Sequence, residues 1–404
     1  MAPLKMYFLP ILALAAVLCS GSSGAAEIQG RSSTQFLWYN DIIDGSRRTD
    51  LAQYLLFSAK DLDNDKKLSI QGYGRGVYDF KQSDRSDGRL YYLYADYRNL
   101  LNAADVKLGR QFVNISAGSA IVDGVEADFK RLGPLGLVVL GGRNVDFGET
   151  GELTTHQYSA GATLYLADAA LTYFDVSYLR TYDHSNIARD ILGGSYKQYL
   201  LQSIKLYANA RYDLTGEVFN ELLGGVKYFP TLDLMITAEH YESYPTFDTT
   251  SIFSVFAVDK YKENSGRVDY TLASWVDISG AFSTEEFGEG GRAKIYEVGL
   301  RFRPSTALTV GLFTDKRTGY PGDLTGYKGY VEYSQIGKWK ASAGVDYDAY
   351  ERDDMTGRET AKKYWVAGKY IYAKNYSSTF RIEDNVNVNY SRDTQGRLTF
   401  DVDF

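Results

Sequence analysis

The chain ends in RLTFDVDF (Arg397–Phe404), and the fold is read from this stretch. Leu398, Phe400, Val402 and Phe404 occupy every second position, opposite Arg397, Thr399, Asp401 and Asp403. Successive side chains on an extended strand point to opposite faces, so this segment has one wholly apolar face and one wholly polar face. The same texture runs back through the chain. VEADFK (Val125–Lys130) sets Val125, Ala127 and Phe129 against Glu126, Asp128 and Lys130. LDLMITAEH (Leu232–His240) and WKASAGVDYD (Trp339–Asp348) alternate likewise. Strands of about ten residues are separated by polar or Gly/Asp-rich turns from one end to the other.

A water-soluble β-sandwich would alternate in the same way, but it closes within roughly one to two hundred residues. Here the pattern continues through nearly all of the 404 residues without a change in composition. Apolar faces repeatedly begin or end on aromatic residues, at Trp38–Tyr39, Tyr91–Tyr92, Trp339 and Trp365, where the girdles of a membrane barrel lie. The 35 tyrosines are spread along the chain, which points to architecture, because a binding site would cluster them. The final strand, with Leu398, Phe400, Val402 and a terminal Phe404, resembles the assembly signal of Gram-negative outer-membrane β-barrel proteins. That resemblance implies an all-β, transmembrane antiparallel β-barrel in the bacterial outer membrane. Its partners would be outer-membrane lipid and the barrel-assembly machinery.

The N-terminus fits export. Lys5 precedes the apolar run Met6–Leu18, and the small residues of Ser20–Ala26 place a cleavage site before Glu27. Residues 1–26 therefore read as a signal peptide and 27–404 as the barrel. A lipid anchor at Cys19 is disfavoured by the bulky Leu18 before it. Cleavage removes the only cysteine, so no disulfide, Cys-ligated metal, covalent haem or Cys nucleophile is expected. The chain carries 44 basic and 51 acidic residues with no basic block, which gives no electrostatic reason to bind nucleic acid.

Short connections at 98–105, 132–136, 166–170, 229–233, 303–307, 336–338 and 373–375 read as periplasmic turns. Polar stretches at 83–88, 147–152, 287–292, 315–326, 352–359 and 391–396 read as outer loops. Counting back from Phe404 predicts about 20–22 strands, the count depending on whether Ile187–Asp213 forms two strands or one excursion. Barrels of about 22 strands enclose a lumen that is normally plugged. No plug precedes the first strand-like segment, Ser33–Asp41. The one long loop, Glu242–Gly266, has an unusually apolar centre at Ser251–Tyr261. It is expected to fold inward as a constriction, to dock a partner, or simply to extend its strands.

The polar face carries both signs of charge. Lumen candidates are Glu126, Asp128, Asp233, Glu239, Glu297, Glu332, Asp346, Asp348, Glu383 and Asp401 against Lys130, Arg301, Lys328, Lys340, Arg381 and Arg397. This excess of acid predicts a modest cation preference, unless the charges pair across strands to stiffen the wall. No run of lumen aromatics or ladder of basic residues is apparent. LGRQF (Leu108–Phe112) followed by VDGVEADF (Val122–Phe129) is similar to a hairpin of porin-like families, with Gly109 and Gly124 free to bend at the wall.

Candidate chemistry is sparse. DLDNDKK (Asp61–Lys67) resembles the start of a calcium loop but has Lys66 where Gly is needed and Gly72 where Glu is needed. His156 and Ser159 fall on opposite faces of a strand and cannot act as base and nucleophile. His184 and His240 have no partner in the sequence, and no H-x-x-x-H spacing occurs. The chain thus reads as a non-enzyme without cofactors. The leading expectation is a porin-like conduit for small hydrophilic solutes or ions. A wide barrel with short loops, no plug and abundant Tyr also looks similar to the barrel subunits of porin–cytochrome conduits. That resemblance implies a sheath for multihaem cytochromes in extracellular electron transfer, with haem only on the partners.

Overall fold

A computed structural model describes residues 26–404 apart from 42–44, 82–86, 148–155, 170, 247–258, 289, 335–336, 353–356 and 389–391. The signal-peptide segment lies outside the described residues. Twenty-two strands follow one another. They are β1 (Glu27–Asn40), β2 (Arg47–Lys60), β3 (Leu68–Asp79), β4 (Asp87–Leu100), β5 (Ala104–Ile115) and β6 (Gly118–Leu132). Next come β7 (Leu135–Asn144), β8 (Gln157–Ala169), β9 (Thr172–Asp183), β10 (Asn186–Leu200), β11 (Ile204–Asp213) and β12 (Val218–Thr231). Then follow β13 (Leu234–Ser243), β14 (Tyr261–Ala273), β15 (Val276–Phe287), β16 (Gly291–Ser305) and β17 (Leu308–Gly319). The last are β18 (Gly322–Ser334), β19 (Trp339–Arg352), β20 (Glu359–Ala373), β21 (Tyr376–Val386) and β22 (Asp393–Asp403). The segment 187–213 resolves into two strands, β10 and β11.

Each strand pairs antiparallel with its sequence neighbours, and β1 pairs with β22 from Arg31↔Asp403 to Trp38↔Gly396. The sheet is therefore closed. Closure is what lipid demands, because a free strand edge in hydrocarbon would leave a row of unbonded N–H and C=O groups. The seam is fastened by reciprocal backbone hydrogen bonds between Gly30 and Phe404 (2.8 and 3.0 Å) and by Arg31 on Asp403 (2.5 Å). The Phe404 ring lies where a Gly30 side chain would be, so the terminal residue and the small one fit together.

The outward face is the apolar one. Leu398, Phe400, Val345, Val366 and Phe380 are exposed on the lipid side, and the opposite faces of the same strands carry Thr399, Asp346 and Arg381. This is the inverse of a soluble core and the arrangement of a transmembrane β-barrel. The rare polar residue on this side is bonded internally: Gln53 accepts from Thr34 (2.6 Å) and donates to Ser32 (2.9 Å). At the end of the barrel that holds both termini, connections are short. The longest, Asp61–Lys67, is closed by Asp63, whose carboxylate accepts backbone N–H groups of Lys67 (2.7 Å) and Leu68 (2.9 Å). Those bonds hold its pKa below the usual carboxylate range. The calcium-like spacing is thus a turn motif.

Two expectations need correction. Tyr320–Pro321 is the whole connection between β17 and β18, so the loop expected at 315–326 is mostly strand. Only Trp38 and Trp339 of the expected girdle face lipid. Tyr39 donates to Asp50 (2.9 Å) on the inner face, and the Trp365 ring lies 4.6 Å beneath Arg381 inside the barrel. Trp339 instead continues into a lipid-side chain of rings with Tyr370, Tyr372 and Phe400.

The inside–outside assignment has a direct test on β19. Val345→Lys, on the lipid face in mid-strand, should destabilise the barrel by about 2–4 kcal/mol in reversible lipid refolding. Ser342→Lys, three residues away on the lumen face opposite Glu332, should change it little.

Candidate functional site: the lumen and its constriction

One hairpin leaves the wall. Pairing of β4 with β5 stops at Leu93↔Arg110, and pairing of β6 with β7 stops at Val122↔Asn144. Beyond those points the strands of Gln111–Val122 pair with each other, from Gln111↔Val122 to Ile115↔Gly118, with one further wall contact from Val145 N–H to the Ile121 carbonyl (2.8 Å). The departure occurs at the opposed pair Gly109↔Gly124. Gly109 has φ +125°, a region closed to other residues, and a side chain on Gly124 would run into the backbone of Gly141 and Gly142. The glycines singled out in the sequence as wall bends thus form the hinge of this excursion. Arg110 covers the edge it vacates, donating to the Leu90 carbonyl (3.0 Å) while forking onto Asp123 (2.7 and 2.8 Å).

The tip lands on the inner faces of β9, β10 and β11. Ser116 donates to Asp175, Ala117 N–H donates to Ser177 Oγ (2.5 Å), and Arg211 donates to the Ser116 carbonyl (3.0 Å). A side chain on Gly193 would collide with the Ser116–Ala117 backbone. Under the hairpin, Val113, Ala117 and Val122 pack with Leu140, Leu179 and Ile191 into the one described cluster of buried apolar side chains. Val113 and Val122 are 1 % and 0 % exposed. Burying each such side chain is worth about 1.5–3 kcal/mol, so the hairpin is seated by a soluble-type core inside the lumen. Its other face, with Phe112, Asn114 and Ser119, is exposed.

Among the described residues, Gln111–Val122 narrows the lumen from within. At the long loop read from the sequence, Glu242 and Ser243 belong to β13 and Tyr261–Gly266 to β14, as strand extensions. Most of its apolar centre lies outside the described residues. Periplasmic to the tip is a recess of about 460 Å³ lined by Ser116, Tyr165, Asp175, Ser195, Arg211 and Glu221 among others.

The expected lumen charges are mostly found in networks. Glu126 takes Lys107 (2.6 Å), and Asp128 accepts from Tyr165 (2.7 Å) beside Lys130. Glu239 accepts from Tyr207, and Glu383 is held by Arg381 and Lys363 (2.9 Å). Arg301 reaches Tyr330 (3.4 Å) and Asp277 (3.9 Å) in a second recess that Arg267, Asp269 and Arg303 also line. Glu297 on β16 stands opposite Asp315, and Asp346 on β19 opposite Lys328. Asp233 is displaced from the expected strand into the β12–β13 turn, at the rim of that second recess. Leu398, Phe400, Val402 and Phe404 lie on β22 and its end, away from the lumen chemistry.

A lumen aromatic run does exist, contrary to the sequence reading. Tyr54, Tyr73 and Tyr91 stack across β2, β3 and β4 with centroids 6.4 and 4.9 Å apart. Phe147 meets Tyr91 edge-on at 5.9 Å, and Tyr92 and Tyr94 extend the group. These residues are far apart in sequence and share one height only after the strands register. That explains why alternation within single strands did not reveal them.

His156 and Ser159 are separated as expected. Ser159 is buried against Thr181 (2.9 Å), while the His156 ring meets that of His184 at 5.0 Å. His240 lies between Asn264 (2.8 Å) and Glu242 (3.3 Å). Among the described residues no group of three or more His, Cys, Asp or Glu could hold a metal ion.

No family model and no curated protein sequence matches the chain. Among solved structures, a mutant of the ferric enterobactin receptor PfeA from Pseudomonas aeruginosa aligns with a TM-score of 0.62 at 8 % identity. The match covers 95 % of this chain and 81 % of the receptor. OccAB3 from Acinetobacter baumannii (13 % identity, TM-score 0.49) is covered over 99 % of its length by 94 % of this chain. A BenF-like porin from Pseudomonas fluorescens (10 %, 0.49) is covered over its whole length by 95 % of it. The likeness is one of fold, and the receptor carries it.

The seat of the hairpin depends on Asp175, which is 3 % exposed and accepts from both Ser116 and Ser195. Hydrogen bonds to a charged group are worth about 1.5–3 kcal/mol each. Asp175→Ala should therefore free the tip, seen as faster amide hydrogen exchange in 111–122 with the rest of the barrel unchanged.

Proposed function

We propose that the chain is a porin-like channel, passing small hydrophilic solutes or ions across the outer membrane without chemistry of its own. The observation that carries this reading is the inward hairpin. A barrel of 22 strands encloses more space than a solute-sized pore needs. Gln111–Val122 occupies the sector in front of β9–β11 and leaves the rest of the lumen lined by hydrated charge networks. The hairpin has its own apolar seat in the wall, which supports a permanent constriction. A multihaem cytochrome threading the barrel would have to share the lumen with it, so the sheath reading is the weaker of the two. The acidic lumen residues supply a modest cation preference, reduced by the pairing of Glu126, Asp128, Glu239 and Glu383.

Single-channel conductance of the purified barrel in a planar bilayer tests the reading, with an absorption spectrum of the same sample. Steady conductance with a small cation-selective reversal potential and no haem absorbance is expected. Replacing Phe112–Ile121 by Asn-Gly, which closes Gln111 onto Val122 in a tight turn, should raise conductance severalfold. An unchanged conductance in that variant would remove the hairpin from the permeation path. A Soret band that co-elutes with the barrel would overturn the free channel.

A further inference from the structure

Two of the three histidines in the chain meet at the outer end of the barrel. His156 stands just before β8 and His184 in the β9–β10 turn, so they lie 28 positions apart and are brought together by the β8–β9 pairing that ends at Gln157↔Asp183. We propose that this pair binds a borderline transition-metal cation (Cu²⁺, Ni²⁺ or Zn²⁺) at the outer rim.

The ring separation fits two imidazoles sharing one ion. A metal–nitrogen bond of about 2.0–2.1 Å puts the ion about 3.2 Å from each ring centroid. Two rings on one tetrahedral ion then have centroids about 5.2 Å apart, and two at right angles about 4.5 Å. The observed separation is 5.0 Å. The second argument is tautomeric. His184 Nδ1 is 2.8 Å from the Asp183 carboxylate, which accepts a hydrogen bond from Nδ1–H and so leaves Nε2 as the coordinating lone pair. Carboxylate–histidine–metal arrangements use this orientation. Arg180, on the same strand, is tied to Asp190 at 2.6 Å.

The site is open. Both histidines are exposed, and the remaining coordination positions are left to water. It is therefore an exchangeable site facing the exterior, distinct from the buried three- and four-ligand sites that hold metal as part of a fold. Among the described residues, hard cations that prefer oxygen, such as Ca²⁺ and Mg²⁺, have no matching donor set here.

Isothermal titration of the untagged barrel in detergent with CuCl₂, NiCl₂ or ZnCl₂ is the test, paired with the electron paramagnetic resonance of bound Cu²⁺. One saturable equivalent with two-nitrogen hyperfine coupling is expected. His156→Asn and His184→Asn should each weaken binding at least about tenfold, and Asp183→Asn by a similar factor through loss of the orienting carboxylate. His240→Asn should bind as the unaltered chain does, and heat-modifiable migration on gels checks that every variant is folded. Absence of saturable binding, or equal binding by His156→Asn, would overturn the proposal. Binding by Asp183→Asn at full strength would overturn the orienting role.

Discussion

The rest of the structure depends on the rule that no backbone polar group can face hydrocarbon unbonded. It forces β1 onto β22, which makes a barrel from what would otherwise be a long twisted sheet. The same hydrocarbon, which also leaves polar side chains without partners, sets the inversion in which Leu398 and Phe400 face out while Thr399 faces in. The seam rests on Gly30 and Phe404, where a missing side chain on one strand makes room for the last aromatic ring of the other. Similar glycine–aromatic pairs recur inside the wall, with Tyr165 over Gly136, Tyr207 over Gly225 and Trp365 over Gly344. Many of the aromatics thus cover bare backbone, in keeping with the architectural role their even spread indicates.

The hairpin Gln111–Val122 is where this rule is set aside. Once it leaves the wall it faces the lumen, and its edges no longer need a strand partner. What holds it is ordinary soluble-protein physics. An apolar underside meets Leu140, Leu179 and Ile191, and polar anchors meet Asp175, Ser177 and Arg211. The vacated edge is managed locally by Arg110 on the Leu90 carbonyl. A wide barrel thereby gains an internal obstruction from residues of its own wall.

Much of this was legible from the sequence. Strand identity, face assignment and a count of 20–22 follow from strict alternation and turn chemistry, and so do the turns at 133–134 and 374–375, while the structure decides that 187–213 forms two strands. Gly109 and Gly124 were legible as bends, though their consequence was not. Glu242–Gly266 reads from sequence as an inward constriction, a partner dock or an extension of its strands because that stretch is long and apolar at its centre. Gln111–Val122 reads as two more short strands around Ser116–Ala117, with apolar residues such as Phe112, Val113, Ile121 and Val122 on both faces, so no polar loop marks where wall becomes obstruction. The apolar seat was hidden for a related reason. Leu140, Leu179 and Ile191 are single apolar residues on lumen faces of three different strands, each unremarkable within its own segment.

The sequence by itself determined a closed antiparallel barrel with an apolar exterior, because a two-residue period and lipid's lack of hydrogen-bonding partners admit no other arrangement of these strands. Only the tertiary structure decided what the lumen contains. The Tyr54–Tyr73–Tyr91 stack, the seat of the hairpin and the meeting of His156 with His184 all arise between strands. Their formation depends on register and on the height of each residue around the barrel, and those are set by the pairing of whole strands rather than by any local run of residues.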